Sequence, residues 1–150
     1  MNFDRRSPDR AMNSAAPRME GLPMRLSPGA DLRRALEDAL AAHDCTAAFV
    51  ISGIGSLSGA AVRFAGAAAP ESLGGELEIL TLAGSVASNG AHLHISVADA
   101  AGRVRGGHVA YGCTVRTTAE VMLLLLREWT FTREPDPATG FAELIIRGER

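Results

Sequence analysis

The pattern of apolar and polar positions predicts one helix near the start of the chain. Apolar residues recur there at positions i, i+3, i+4, i+7 and i+8, namely Leu32, Ala35, Leu36, Ala39 and Leu40. This spacing is typical of an amphipathic helix that buries one face. Asp31 directly precedes the run and can cap its first turn, while His43 falls in the last turn.

Most of the remaining apolar positions favour strands. Short apolar runs bounded by turn residues predict strands over residues 22–26, 46–51, 60–64, 77–83, 103–109 and 142–146. The glycine-rich residues 53–59 are interpreted as a flexible turn, or as a strand bend or close backbone crossing. Residues 65–74 and 133–140 are predicted to be loops. One helix among many short strands predicts a single α+β domain built on a mostly antiparallel sheet.

Two further segments have distinctive apolar patterns. Leu93, Ile95 and Val97 alternate with polar residues, which is typical of a sheet that covers a core on one face. The apolar run 121–126 fits either a helix or a buried strand, because Thr117 and Glu120 before it have the spacing of a helix capping box. Periodicity leaves both alternatives open.

Composition narrows the class of protein. A formal net charge of −2 and a pI of about 6.1 give no global attraction to nucleic acid or to anionic membranes. The longest apolar run is far too short to span a membrane. Cys45 and Cys113 have no CxxC spacing and are predicted to be reduced thiols, with a disulfide as the weaker alternative. We expect a cytoplasmic protein without membrane association, with residues 1–20 forming a disordered leader.

The strongest chemical signal is a cluster of histidines. His92 and His94 would share one face of a strand, because side chains two residues apart point the same way. A returning strand could bring His108 onto that face. Three imidazoles would leave a coordination position open on zinc, although nitrogen donors alone do not select zinc over nickel, copper or iron. The alternative is a polar face whose histidines hydrogen-bond within the sheet.

Convergence of the three rings depends on strand register. If Val97 faced Val104, His108 would point to the other side of the sheet. A three-residue turn with Gly102 in the left-handed conformation would correct the register. A bulge at Gly106-Gly107 would do the same. The sequence does not decide between the three-residue turn and the bulge.

Residues around the histidines supply the candidate ligand contacts. Gly106 and Gly107 lie beside His108, and Arg105 is a candidate for contacting phosphate or carboxylate, although scattered solvated arginines are the simpler interpretation. Glu120, with Asp99 and Glu78, is a candidate additional metal ligand or hydrogen-bond partner. We therefore predict metal ligation by His92, His94 and His108, with ligand contacts from Gly106, Gly107, Arg105 and Glu120.

Several short motifs in order carry a resemblance to a known family. They are Leu26-x-x-Gly29, Gly53-Ile54-Gly55-Ser56-Leu57, the segment 75–80, His92-Leu93-His94, Gly106-Gly107-His108, Thr118-x-Glu120-Val121 and Thr139-Gly140-Phe141-x-Glu143-Leu144. Together they resemble the PPC domain (plants and prokaryotes conserved), which also occurs in plant AT-hook motif nuclear-localised proteins. The resemblance is to a stand-alone prokaryotic member and places the domain at residues 21–150.

The resemblance implies a mostly antiparallel sheet with a helix packed on it, a homotrimer, and a strand at 121–126. It also implies a metal ion at His92, His94 and His108, since some members hold one at this pattern. Two departures bear on DNA binding. The chain lacks the Arg-Gly-Arg-Pro hook that plant members place in the minor groove, and it has Glu76 and Leu77 where they have Arg and Phe.

Three functional hypotheses follow. The first is a trimeric protein with a three-histidine metal site, holding zinc or another divalent ion, that binds a small anionic or polar ligand. The second is a DNA-associated regulatory protein that acts through its trimeric domain. The third is a trimerising scaffold without chemistry. Whether any reaction is catalysed is left open.

Overall fold

The structure is a computed structural model that describes residues 19–148. The elements are β1 (Met19–Leu26), α1 (Leu32–Ala42), β2 (Ala47–Arg63), β3 (Glu71–Ala87), β4 (Gly90–Asp99), β5 (Val104–Val109), β6 (Thr114–Leu126), β7 (Trp129–Pro135) and β8 (Ala142–Gly148). The predicted leader, residues 1–20, lies outside the described residues except for Met19 and Glu20, which begin β1.

Six of the strands form one antiparallel sheet in the order β1-β6-β2-β3-β4-β5. The end of β2 also pairs with β5, through Val62 opposite Val109 and Arg63 opposite His108. This second pairing curls the β2–β5 half of the sheet back on itself. Strands β7 and β8 form a separate two-stranded ribbon. The predicted single α+β domain with a mostly antiparallel sheet is confirmed.

Helix α1 forms where the apolar spacing predicts it. The Asp31 side chain accepts a hydrogen bond from the Arg34 amide at 3.0 Å, which caps the first turn. Leu32, Leu36 and Leu40 are buried and pack into the main core. The described part of the chain has no helix with the length and apolar character needed to cross a membrane.

The core lies between α1 and one face of the sheet. On β4, Leu93, Ile95 and Val97 are almost completely buried in this core. His92 and His94 alternate with them and lie on the opposite face. The predicted one-sided strand is confirmed, and the histidines are on the side of the sheet that α1 does not cover.

The glycine-rich segment 53–59 is part of a strand and not a flexible turn. Strand β2 runs continuously through it, with register shifts on either side of Leu57. Gly55 has a φ of 138°, and a Cβ there would lie 2.3 Å from the Thr118 carbonyl oxygen. The absence of a side chain at Gly55 therefore allows β6 to lie close to β2. This confirms the alternative prediction that the glycines mark a strand bend or close backbone crossing.

Other differences concern element boundaries. The run 121–126 is a strand within β6, so the capping-box spacing of Thr117 and Glu120 is not used. The predicted loop 65–74 ends at Glu71, where β3 begins, and the predicted loop 133–140 loses its first three residues to β7. Pairing with the distant strands β1 and β2 overrides the helix signal at 121–126. The two loops are shortened because the β2–β3 and β7–β8 hairpins extend further than the turn residues indicate.

Gly84 on β3 provides a direct test of how closely the strands pack beneath the histidines. Its φ is 145°, and a Cβ would lie 2.0 Å from the His92 carbonyl oxygen. We predict that Gly84→Ala lowers the free energy of unfolding by at least about 2 kcal/mol, measured by urea denaturation. Gly74→Ala on the same strand is the control, because a Cβ there has no atom within 4 Å; equal effects of both substitutions would contradict the prediction.

Candidate functional site

The three histidines lie on the hairpin that β4 and β5 form. His92 and His94 are two residues apart on β4, so their side chains leave the same face of the sheet. His108 lies directly opposite His94 in the antiparallel register, and residues opposite one another share a face. The predicted convergence of the three imidazoles is confirmed as geometry.

The register between β4 and β5 is set by the three-residue turn at Gly102, the first of the two predicted alternatives. The Asp99 amide donates to the Arg103 carbonyl at 3.1 Å, and the Gly102 amide donates to the Asp99 carbonyl at 2.8 Å. Gly102 has a φ of 75°, the left-handed conformation that completes this type of hairpin. The Asp99 carboxylate also accepts hydrogen bonds from the Ala101 and Arg103 amides, which holds the turn closed.

Gly106 and Gly107 have a different role from the predicted bulge. The register between β4 and β5 passes through them without a shift. A Cβ at Gly106 would lie 2.4 Å from the Ile95 carbonyl oxygen, and one at Gly107 would lie 2.7 Å from the Arg63 carbonyl oxygen. Their missing side chains therefore let β5 approach both β4 and β2, which places His108 beside the other two rings.

The donor atoms are close enough to share an ion. The Nε2 atoms of His92 and His94 are 3.3 Å apart. One ligand nitrogen from each of the three rings lies within 4.8 Å of the others. Two nitrogen ligands of a tetrahedral zinc ion are about 3.3 Å apart when each bond is 2.0–2.1 Å long. His92 and His94 already have this spacing, and the residues present fit a metal ion once rotation of the side chains brings the third ring nitrogen closer.

Electrostatics keeps two of the rings in the form that binds metals. Burial, followed by the charges of His92 and Arg63, lowers the pKa of His108 to about 4. Burial, followed by the charge of Arg133, also lowers the pKa of His92. Both rings are thus neutral at pH 7, which leaves a nitrogen lone pair available for coordination.

Two arginines that the sequence did not single out lie beside this cluster. Arg63, at the end of β2, is directly opposite His108 and so lies on the histidine face. Arg133, on β7, donates to the Ser85 hydroxyl at 2.9 Å, and Ser85 is paired with His92 across β3 and β4. No local motif indicates either residue, because each reaches the site through a strand pairing or contact that is distant in sequence.

A cleft of about 900 Å³ opens next to the rings, within the range of small-molecule sites. The ribbon of β7 and β8 and the loop after β2 form its other walls. It is lined by Arg63, Gly66, Ala67, Ala68, Ala91, His92, His108, Arg133, Phe141, Ala142 and Glu143. The cleft thus combines two neighbouring imidazoles, both arginines, one carboxylate and several apolar groups.

The remaining predicted ligand residues are placed elsewhere. Arg105 is opposite Val97, which is buried on the helix-covered face, so its side chain leaves the sheet on the side away from the rings. Glu120 on β6 is opposite Arg25 and Ile54, and both β2 and β3 separate β6 from β4. The structure does not bring these two residues to the histidine cluster.

Other candidate groups have structural roles. The Asp99 carboxylate closes the hairpin turn, and Glu78 is opposite Ala98, beyond the end of the cluster. His43 follows α1, and its Nδ1 atom is 2.8 Å from the Ala39 carbonyl oxygen. Cys45 and Cys113 are buried free thiols, and burial raises the pKa of Cys113 to about 11. The predicted reduced state of both thiols agrees with this arrangement.

Comparison with solved structures places the fold among known proteins. A hypothetical protein from Salmonella has a TM-score of 0.84 and 37% identity, with 89% of this chain and 96% of that one covered. The metal-containing protein AF0104 from Archaeoglobus fulgidus has a TM-score of 0.73 and 29% identity, with 84% and 93% covered. A Ralstonia eutropha protein named "Putative DNA-binding protein" has a TM-score of 0.69 and 25% identity, with 82% and 89% covered.

Sequence comparison gives relatives of a different length. Two proteins from Synechococcus strains, each named Bifunctional protein GlmU, are 47% and 48% identical over 83% of this chain. The chain spans only 20% of the length of these curated relatives. A family model described as the Plants and Prokaryotes Conserved (PCC) domain matches residues 14–127, most of the chain. The chain therefore belongs to the family of the Plants and Prokaryotes Conserved domain.

Proposed function

We propose that this protein is a metal-dependent binding protein in which His92, His94 and His108 hold a divalent ion, with zinc as the resident metal. The observation that carries the proposal is the convergence of three imidazole nitrogens within 4.8 Å on one face of a rigid hairpin. The name of the Archaeoglobus fulgidus relative, a metal-containing protein, supports it. Such an ion, when bound, would act as a Lewis acid towards a ligand at its open coordination position.

The chain's own residues would select and orient the ligand. The cleft opens directly onto His92 and His108, so a molecule bound there lies next to the ion's position. Phe141 and the neighbouring alanines provide an apolar wall, while the arginines and Glu143 provide polar contacts. These features support binding of a small polar ligand, which the sequence also predicted.

Metal content tests the proposal. Purified wild-type protein should contain about one zinc ion per chain, and the double variant His92→Ala/His94→Ala should contain less than about a tenth of that. Inductively coupled plasma mass spectrometry after dialysis measures both. His43→Ala removes the histidine outside the cluster and should leave the zinc content unchanged. Equal zinc in the wild-type and double-variant proteins would contradict the proposed site.

We also propose that the protein is the homotrimer that the family resemblance implied. The face of the sheet away from α1 exposes apolar groups near β6. Phe49, Ile54 and Met122 are each more than a third exposed there. Exposed apolar groups that cluster on one sheet face commonly mark an interface. In a closed trimer each copy would bury this face against a different surface of its neighbour.

Light scattering coupled to size-exclusion chromatography tests the trimer. Wild-type protein should elute with about three times the chain mass of 15.7 kDa. Ile54→Glu places a charge in the apolar face and should shift the mass towards the monomer. Val104→Glu is the control, since Val104 is equally exposed but lies on β5. A monomeric wild-type protein would contradict the proposal.

Association with DNA is the second candidate function, and the name of the Ralstonia eutropha relative is the observation that favours it. The net charge of −2 and the missing hook segment oppose it. We expect no binding of duplex DNA at about 150 mM salt, measured by fluorescence anisotropy across a salt series. Binding that persists at that concentration, with a steep salt slope, would favour this candidate over a small-molecule site.

A further inference from the structure

We propose that the cleft beside the histidines binds an oxyanion, a carboxylate or phosphate group carried by a small organic molecule, through Arg63 and Arg133. This inference rests on the proposed metal centre, because the ion would supply part of the positive charge that the ligand neutralises. It goes further by assigning the ligand's charge and the two residues that recognise it.

Arg63 is a cation available to a ligand. Its position opposite His108 places it on the histidine face, and it lines the cleft. Within the described residues its side chain makes no hydrogen bond and no ion pair. A half-buried guanidinium without a carboxylate partner is a ready anion contact.

The side chain of Arg133 is also positioned to contact an anion. One terminal nitrogen donates to the buried Ser85 hydroxyl at 2.9 Å, and the other donates to the Ala142 carbonyl at 3.4 Å. The Asn89 side chain fixes the Arg133 backbone through hydrogen bonds of 2.8 and 2.9 Å. These contacts are to neutral groups, so they orient the guanidinium without neutralising it.

The Arg133 side chain also has an unused donor. Its Nε atom is buried and has no hydrogen-bond partner among the described residues. A buried donor without a partner is costly, and such groups usually pair with a ligand, an ion or water. An anion that enters the cleft next to Arg133 is a chemically suitable partner for its free donors.

The balance of charge in the cleft favours an anion over a neutral or cationic ligand. Among the residues that line the cleft, the side chains with a permanent charge are Arg63, Arg133 and Glu143. Two guanidinium groups outweigh one carboxylate, and a divalent ion on the histidines would increase the excess. Since low-polarity walls strengthen this field, an anion would gain most from entering.

The walls of the cleft define the rest of the ligand. Phe141 is 67% exposed and faces the opening, next to Ala67, Ala68 and Ala142. Apolar groups on one side and two cations on the other match a molecule with an organic body and an anionic head. We therefore choose benzoate and phenyl phosphate as probes, because they share one body and differ in head group, and benzyl alcohol as their neutral analogue.

Isothermal titration calorimetry on zinc-loaded protein tests this assignment. Benzoate, phenyl phosphate or both should bind, while benzyl alcohol should bind at least about tenfold more weakly. Arg63→Gln and Arg133→Gln should each weaken anion binding about tenfold or more. The tighter of the two anions identifies the head group. Arg25→Gln, an exposed arginine on β1, is the matched control and should leave the dissociation constant unchanged.

Zinc content, measured on the same samples, separates the two proposals. Both arginine variants should keep the zinc content of the wild type, since neither residue is a ligand. Full zinc content with unchanged anion affinity in both variants would overturn the oxyanion assignment and leave the metal centre standing. Wild-type protein without zinc would overturn the metal centre. The same titration on metal-free protein would then support the oxyanion site if binding depended on Arg63 and Arg133, and overturn it otherwise.

Discussion

The register of the β4–β5 hairpin is the constraint on which the site depends. A slip of one residue would turn the His108 ring to the helix-covered face of the sheet and leave two imidazoles on the other. The Gly102 turn prevents this slip from one end, through the amide and carboxylate contacts of Asp99. At the other end, Gly106 and Gly107 let β5 lie against β2 and β4 together.

Backbone proximity also explains the distribution of glycine in this sheet. Gly55, Gly84, Gly106 and Gly107 each stand where a Cβ would lie within 3 Å of a neighbouring strand's carbonyl oxygen. Two of these contacts flank the histidine strand, at the His92 carbonyl and at the Ile95 carbonyl. Local sequence statistics interpret glycine as a turn, but here its small volume allows a tightly curled sheet. The same curling brings the end of β2, and with it Arg63, next to His108.

The site combines a cluster of three imidazoles with neighbouring cationic side chains. Burial is the main reason that the pKa values of His92 and His108 are lowered, and nearby arginine charges act in the same direction. The positive charges of these guanidinium groups would also attract an anion to the open cleft. In the proposed site, Arg63 and Arg133 would therefore influence both the choice of ligand and the affinity for the metal ion.

The sequence by itself determined the class of fold, helix α1, the alternation along β4 and the identity of the three histidines, because each depends on local periodicity or a short motif. The sequence allowed two ways to set the register of the β4–β5 hairpin, a turn at Gly102 or a bulge at Gly106-Gly107. Only the structure shows that the Gly102 turn sets it. The continuous β2 and the strand at 121–126 also required tertiary pairing, since distant strands compete with local turn and helix signals. The ends of the loops depended on how far the β2–β3 and β7–β8 hairpins extend. Arg63 and Arg133 could not be recognised in advance. Arg63 pairs with His108 and Arg133 donates to Ser85, contacts between residues 45 and 48 positions apart in the chain, and no local pattern encodes an approach over that separation.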